Sequence, residues 1–324
     1  MKALLLDQHE TLTASIQDID ESQLPSCAVT VDVHWSTLNY KDALAITGKG
    51  KIIRQFPMIP GIDFAGVVHH SEDPRFHVGQ HVLLTGWGVG ETHWGGLAEQ
   101  ASVPGDWLTP LPQALTARQA MIIGTAGFTA MLCVMTLEQG GVTPESGDIA
   151  VTGASGGVGS TAITLLSQLG YSVVAISSKA DNQDYLLSLG AKAILPASDF
   201  NQPSRPLEKQ RWAGVIDTVG GKILATLLAQ VNYNGTVAAC GMASDGHLPA
   251  TVMPFILRNV RLQGVASVTA PASERPAIWQ RLQTLLPDSF YQQTANEITL
   301  DQVIEYANKL INNQITGRTV VKVR

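Results

Sequence analysis

Only three cysteines, Cys27, Cys133 and Cys240, occur in 324 residues, each more than 100 positions from the next and none in a Cys-x-x-Cys pair. That scarcity excludes a disulfide framework and a zinc clip made of sequence neighbours, and it suits a reducing cytoplasm. Low-complexity tracts, internal repeats and Gly/Ser- or Pro-rich linkers are also missing, which excludes disordered and fibrous classes and predicts close-packed domains. Charge is sparse at 15% of residues, and the net charge of -6 with a pI near 5.7 offers no general footing for nucleic acid or an anionic membrane. Any anion must therefore be met by local groups. The amino-terminal run "MKALLLDQHE" has only four consecutive apolar residues before Asp7, too few for a signal-peptide core, so a first strand is expected there. The one long uncharged run, "AMIIGTAGFTAMLCVMTL" at 120–137, spans 18 residues and reaches the lower edge of membrane-crossing length. Five of those residues are Gly or Thr and the flanks carry no basic cluster, which predicts a buried helix and no membrane span.

What is present is a 45% apolar chain, long for one core and comfortable for two. Up to about Val103 the texture is short and strand-like with frequent turn residues. Val29, Val31 and Val33 alternate with Thr30, Asp32 and His34 at the period of a strand with one wet face. This half reads as an antiparallel, partly open β-barrel. From Asp148 onward strands alternate with helical runs: strands are expected at 149–153, 172–178, 191–195, 214–219, 235–241 and 260–265, with helices in "STAITLLSQLG" and "NQDYLLSLG" that each close on a C-capping glycine. Six strands with helical crossovers predict an α/β domain built on a doubly wound parallel sheet. The final segment, "LDQVIEYANKLINNQITGRTVVKVR", reads as a helix and a strand outside that α/β pattern.

The run "IAVTGASGGVGSTAITLL" is strand, glycine-rich turn and helix. A pyrophosphate seated on a helix N-terminus needs a tight turn whose amides approach it without Cβ atoms in the way, and Gly156, Gly157 and Gly159 supply that, although Ala154 stands where the fingerprint usually opens on glycine. Near the end of the second strand an enzyme using NAD needs an acid for the ribose hydroxyls; this chain has Ser177, Ser178 and Lys179, two hydroxyls and an ammonium suited to a 2'-phosphate, which favours NADPH. The alternative is that these three form an ordinary solvated turn and Asp181, beyond the expected strand end, does the acid's work.

One acid is conspicuous. Asp63 lies in "FPMIPGIDFAGVV", a run otherwise made of apolar residues, glycines and prolines. Together with "LNYKDALAITGKGKIIRQ", "LLTGWGVGETHWGGLAEQ", "IIGTAGFTAMLCVM" and the "GASGGVG" turn, this run closely resembles the medium-chain dehydrogenase/reductase family, and within it the quinone oxidoreductase-like acryloyl-coenzyme A reductases of the AcuI/YhdH type. The resemblance covers essentially the whole chain. It implies a GroES-like partly open β-barrel domain at 1–122 and 267–324, a Rossmann-type NADPH-binding domain at 123–266, a homodimer, and a cytoplasmic location. Zinc-dependent members carry a Cys ligand where this chain has Asn39 and a Gly-His-Glu where it has Gly61, Ile62 and Asp63; isoleucine cannot bind a metal, so no zinc is expected.

Without a Lewis acid to lower an alcohol's pKa, reduction of an activated double bond is the fitting chemistry, with hydride delivered to the β-carbon of an enoyl thioester. The resemblance implies a catalytic group of Asn39, Tyr40, Asp42 and Asp63. For each a plain structural role competes: Asn39 as a turn cap, Tyr40 as a packing residue, Asp42 as the N-cap of "ALAITG", and Asp63 as an acid satisfied by backbone amides. It further implies cofactor contacts at Tyr40, Ser155, Gly156, Gly157, Val158, Ser177, Ser178, Lys179, Met242, Ile256, Ser267 and Asn313. Related chains have an arginine soon after the third strand of the nucleotide fold; here Leu195, Pro196 and Ala197 stand there, which shifts the expected 2'-phosphate contact to Lys179. Lys49, Lys51 and Arg54 form the densest basic run of the first domain and are candidates for coenzyme A phosphates, or simply a solvated loop. The rivals to an acryloyl-CoA reductase are a reductase of quinones or free enones and a nucleotide-binding protein without catalysis.

Overall fold

The structure, a computed structural model, describes residues 1–8 and 10–324. Chain contacts divide it into two compact units, one of residues 1–125, 268–283 and 294–324, the other of 126–267 and 284–293. Strands β1 (Lys2–Gln8) and β2 (Leu12–Asp18) form an antiparallel pair. They are followed by β3 (Val29–Leu38), helix α1 (Tyr40–Thr47), β4 (Asp63–Ser71), β5 (His81–Thr85), β6 (Gln100–Val103), β7 (Thr109–Pro110) and helix α2 (Ala117–Gln139). Next come β8 (Ile149–Thr152), α3 (Gly157–Gln168), β9 (Val173–Ser177), α4 (Gln183–Ser188), β10 (Ala193–Pro196), β11 (Trp212–Asp217), α5 (Gly221–Gln230), β12 (Val231–Ala239), α6 (Met253–Arg258) and β13 (Arg261–Gly264). The chain ends with α7 (Arg275–Leu285), α8 (Asp288–Thr294), β14 (Ala295–Thr299), α9 (Val303–Ile311) and β15 (Arg318–Lys322).

In the first unit the sheet order is β14-β15-β3-β4-β5-β7, with β6 also paired to β3. All pairs are antiparallel except β14 with β15. The ten-residue strand β3 organises this sheet: its first residues pair with β6 and its last with β15, while β4 runs along its other edge. The alternation read from the sequence is the cause, because Val29, Val31 and Val33 are fully buried and pack with Phe64, Val82 and Leu84. A second cluster joins Leu4, Leu6 and Leu38 to Ile298, Val303 and Val321, so the carboxy-terminal helix and strand complete this unit's core. Each such side chain taken from water contributes roughly 1.5–3 kcal/mol.

The second unit holds a six-stranded sheet in the order β10-β9-β8-β11-β12-β13, parallel at every pairing. This is the expected doubly wound arrangement, with the chain reversing its direction of progress between β8 and β11. Trp212, Val215, Leu227, Leu228 and Val237 form the centre of its core. Helix α3 ends at the predicted glycine, Gly170, whose φ of 83° turns the chain while Tyr171 N–H donates to Leu166 O at 2.9 Å.

Helix α2 contains the uncharged run. By length and composition it could cross a membrane, but 78% of its most apolar 18 residues are buried within the fold. It breaks once, at Gly124, where φ is 50° and ψ is -161°. Helices α7 and α8 and strand β14 had no counterpart in the sequence reading; α7 buries only Ile278, Trp279 and Leu282 among apolar residues, too short a stripe to stand out.

Candidate active site

The turn from β3 into α1 and the start of β4 bring three of the four expected catalytic residues together. Asn39 occupies the N-cap of α1 with extended φ and ψ, and Asp42 is the third helical residue rather than the N-cap. One Asp42 oxygen accepts the Asn39 N–H at 2.8 Å and the other accepts the Ile62 N–H at 3.0 Å. That single carboxylate therefore ties the α1 turn to the "PGID" segment. Asp63 lies at the first position of β4, fully buried. Its Oδ2 accepts from Thr37 Oγ1 at 2.8 Å, Asn39 Nδ2 at 2.8 Å and Thr125 N–H at 2.9 Å, while Oδ1 accepts a short hydrogen bond from Thr125 Oγ1.

The break in α2 makes part of this possible. Gly124 has a backbone conformation open almost only to glycine, and it turns the Thr125 amide toward the carboxylate. A Cβ at position 124 would stand 2.6 Å from Arg318 Nη2 and 2.8 Å from Asp63 Oδ2, so no other residue fits between them. Asp63 in effect caps the second half of the helix, where a negative charge is favoured.

Arg318, at the start of β15, was not singled out by the sequence reading. It is buried, and its guanidinium donates to Asn39 Oδ1 at 2.9 Å, to Ile122 O at 2.9 Å and to Met121 O at 3.4 Å. The Asn39 amide is thus engaged at both ends, its Nδ2 giving to Thr37 Oγ1 at 2.7 Å as well as to Asp63. The electrostatics follow from burial. Loss of water pushes the Asp42 carboxyl up to about 7, with the Asp63 charge adding to the rise and the two backbone N–H groups opposing it. Burial likewise lowers the Arg318 pKa, while Asp63 and Asp42 hold the charge in place. Tyr40 differs from its neighbours: as the first residue of α1 it is 43% exposed, the member of the expected group that presents its side chain to solvent. Lys49, Lys51 and Arg54 are exposed in the segment after α1 and form no ion pair among the described residues. Asn313 stands exposed after α9 with a left-handed φ of 59°.

The second unit gathers expected cofactor residues at the carboxyl ends of its strands. Beyond β8 the turn leads to Gly156, the N-cap of α3, and no side chain caps the helix. Gly157 and Val158 begin its first turn, and Ser155 is buried just before it. At Gly159 a Cβ would collide with Gly153 O and stand 2.7 Å from the Ala154 Cα, so the close turn needs glycine there. Uncapped first-turn amides in a turn this tight form a cradle that fits a pyrophosphate. Beyond β9, Ser177 is buried and its Oγ accepts the Lys179 N–H at 3.1 Å; Ser178 is exposed, and partial burial lowers the Lys179 pKa. Asp181 is exposed in the turn that follows. Met242, after β12, and Ile256, in α6, are strongly exposed at 74% and 72%, and Ser267, after β13, accepts from Thr129 Oγ1 at 2.8 Å. The sequence reading also missed Asp217, at the end of β11. It accepts from Thr152 Oγ1 at 2.7 Å and Gly220 N–H at 2.8 Å, fastening β8 to β11 where the sheet order reverses.

Comparison with known proteins identifies the family. Residues 26–113 match the family description "Alcohol dehydrogenase GroES-like domain" and residues 157–284 the description "Zinc-binding dehydrogenase". The chain is 68% identical over all 324 residues to "Probable acrylyl-CoA reductase AcuI" of Escherichia coli strain K12, covering 100% of both chains. The chain belongs to the medium-chain dehydrogenase/reductase family. It is 46% identical to "Acrylyl-CoA reductase AcuI" of Ruegeria pomeroyi, covering 99% of this chain and 98% of that one. The yhdH oxidoreductase of Salmonella enterica, solved in complex with NADP, superposes with a TM-score of 0.98 at 65% identity and full coverage of both chains.

This member of the medium-chain dehydrogenase/reductase family stands on its zinc-independent side. Ile62 is buried, Asn39 is held by Arg318, Thr37 and Asp63, and among the described residues no group of three or more His, Cys, Asp or Glu could hold a metal ion. The oxidoreductase fold is the family's, with the glycine-rich turn heading a parallel nucleotide-binding sheet and an antiparallel GroES-like unit supplying Asn39, Tyr40, Asp42 and Asp63.

Proposed function

We propose that this chain is an NADPH-dependent oxidoreductase of activated C=C bonds whose substrate is acryloyl-CoA and whose product is propanoyl-CoA. The observation that carries the reading is the full-length, 68% identity to the Escherichia coli protein named an acrylyl-CoA reductase. The complex of the Salmonella enterica relative with NADP supports the same cofactor here, as does the absence of an acid at Ser177, Ser178 and Lys179. When bound, NADPH supplies a hydride to the β-carbon of the thioester-conjugated double bond, and a proton from water completes the reduction at the α-carbon.

The chain's own residues divide the remaining work. The amides at the start of α3 hold the pyrophosphate, and Lys179 with Ser177 and Ser178 holds the 2'-phosphate. Tyr40 is the group that reaches substrate or nicotinamide, because its ring is exposed at the head of α1. Asn39, Asp42 and Asp63 are positioning residues: their polar atoms are bonded within the protein, and they fix the backbone from which Tyr40 projects. Lys49, Lys51 and Arg54, free of carboxylate partners among the described residues, meet the coenzyme A phosphates.

The test is a label transfer. Purified protein incubated with acryloyl-CoA and 4-deuterated NADPH should yield propanoyl-CoA with deuterium at the β-carbon, read by mass spectrometry and NMR. Label at the α-carbon, or no thioester reduction alongside turnover of a simple quinone, would sink the reading in favour of an NADPH:quinone oxidoreductase.

A further inference from the structure

We propose that Arg318 is a positioning residue for the reduction, the fixed buried cation that sets the α1 turn and the break in α2 and so aims Tyr40. This deepens the reading above and rests on it. A buried guanidinium is costly unless every face is used, and an arginine kept in such a place implies a demand that a smaller or neutral residue does not meet. Here the planar fork spans two elements. Nη1 fixes the side-chain oxygen of Asn39, the N-cap from which Tyr40 follows, while Nε and Nη2 take the carbonyls of Ile122 and Met121, just before the break in α2. Those carbonyls belong to the last turn before Gly124, where intrahelical partners run out.

Asp63 stands on the other side of Gly124, holding Asn39 Nδ2 and the amide that opens the second half of the helix. Arginine and aspartate therefore grip the same asparagine from opposite ends of its amide, and the same helix from opposite sides of its break. The asparagine can adopt one orientation only, because its Oδ1 faces a donor and its Nδ2 faces acceptors. Lysine cannot reproduce this arrangement, since one ammonium cannot reach acceptors in a planar fork on two elements.

The experiment uses the full chain carrying Arg318→Lys. Steady-state kinetics with NADPH and acryloyl-CoA should show kcat lowered about 10- to 100-fold, as expected for a misplaced reacting geometry, with the KM for NADPH within about twofold of wild type. Amide hydrogen exchange, which needs neither cofactor nor substrate, should be faster at residues 39–47 and 121–126 and unchanged in 149–264. Asn39→Ala should also lower kcat, and the loss in the double variant should fall well short of the product of the two single losses, because the Arg318–Asn39 contact is common to both. Additive losses, an unchanged kcat in a folded Arg318→Lys protein, or unchanged exchange at both segments would overturn the proposal. If Arg318→Lys does not fold, Asn39→Ala decides alone: retention of wild-type kcat overturns it. The wild-type rate tests the substrate reading separately, and should the enzyme prefer a quinone, the same ratios are measured with that quinone.

Discussion

At the scale of single residues, Asp63 shows how a buried charge is made tolerable and what it then controls. Four donors converge on its carboxylate, so Asp63→Asn would turn one acceptor oxygen into an amide NH2 facing hydrogen-bond donors. We expect that change to cost about 3 kcal/mol in unfolding of the first unit, the scale for breaking a buried charge network, and to lower kcat with it; an unaltered melting temperature would contradict the assigned contacts. Asp42 makes a prediction about pH. Its folded-state pKa, pushed up to about 7, lies above that of an unfolded aspartate, so the folded chain binds the extra proton between roughly pH 4 and 7. Its contribution is present in full below the unfolded value and is lost as pH rises through 7. Unfolding free energy followed from pH 4 to 8 should carry a downward slope that Asp42→Asn reduces, and equal slopes in both proteins would refute it. Lys179→Ala should raise the KM for NADPH far more than that for NADH; equal effects would mean that the 2'-phosphate is read elsewhere. Asp63 stands out in the sequence as a lone acid in an apolar run, whereas Asn39 and Asp42, in the polar stretch 36–42, became candidates only through the family resemblance. Arg318 was not legible, since an arginine opening a short strand looks ordinary until the fold carries it to partners at the other end of the chain.

At the scale of elements, periodicity and glycine placement revealed much more than polar composition did. The six parallel strands, the valine alternation in β3 and the glycine that ends α3 follow local rules, and the structure places them where those rules put them. The break in α2 follows no local rule, because its run looks uniformly apolar and the reason for Gly124 lies in Arg318 and Asp63. Helices α7 and α8 were missed for the opposite reason: their sequences are polar, with few apolar positions to mark a face. The glycine-rich turn yields the element-scale prediction. Gly159→Ala would drive a methyl group into Gly153 O and the Ala154 backbone, opening the turn beneath the first amides of α3. NADPH affinity, measured by the cofactor's own fluorescence, should weaken by on the order of tenfold or more while the far-UV spectrum keeps its shape. Undiminished affinity would show that the cradle does not hold the pyrophosphate.

For the whole molecule, two compact units each carry their own core, one with the buried Asn39, Asp42, Asp63 and Arg318 network and one with the nucleotide cradle. Length and the change of texture near Asp148 were enough to anticipate two architectures. Family resemblance was needed to attach a reaction to them, because neither a glycine-rich turn nor a knot of buried polar groups names a substrate. The proposed substrate is a short enoyl thioester. That assignment is tested most directly by the ratio of kcat/KM for acryloyl-CoA to that for a simple quinone, measured with NADPH on the same preparation. With Lys49, Lys51 and Arg54 proposed to meet the coenzyme A phosphates, the expected ratio is well above one and falls as salt is raised. A higher specificity constant for the quinone, unaffected by salt, would contradict it.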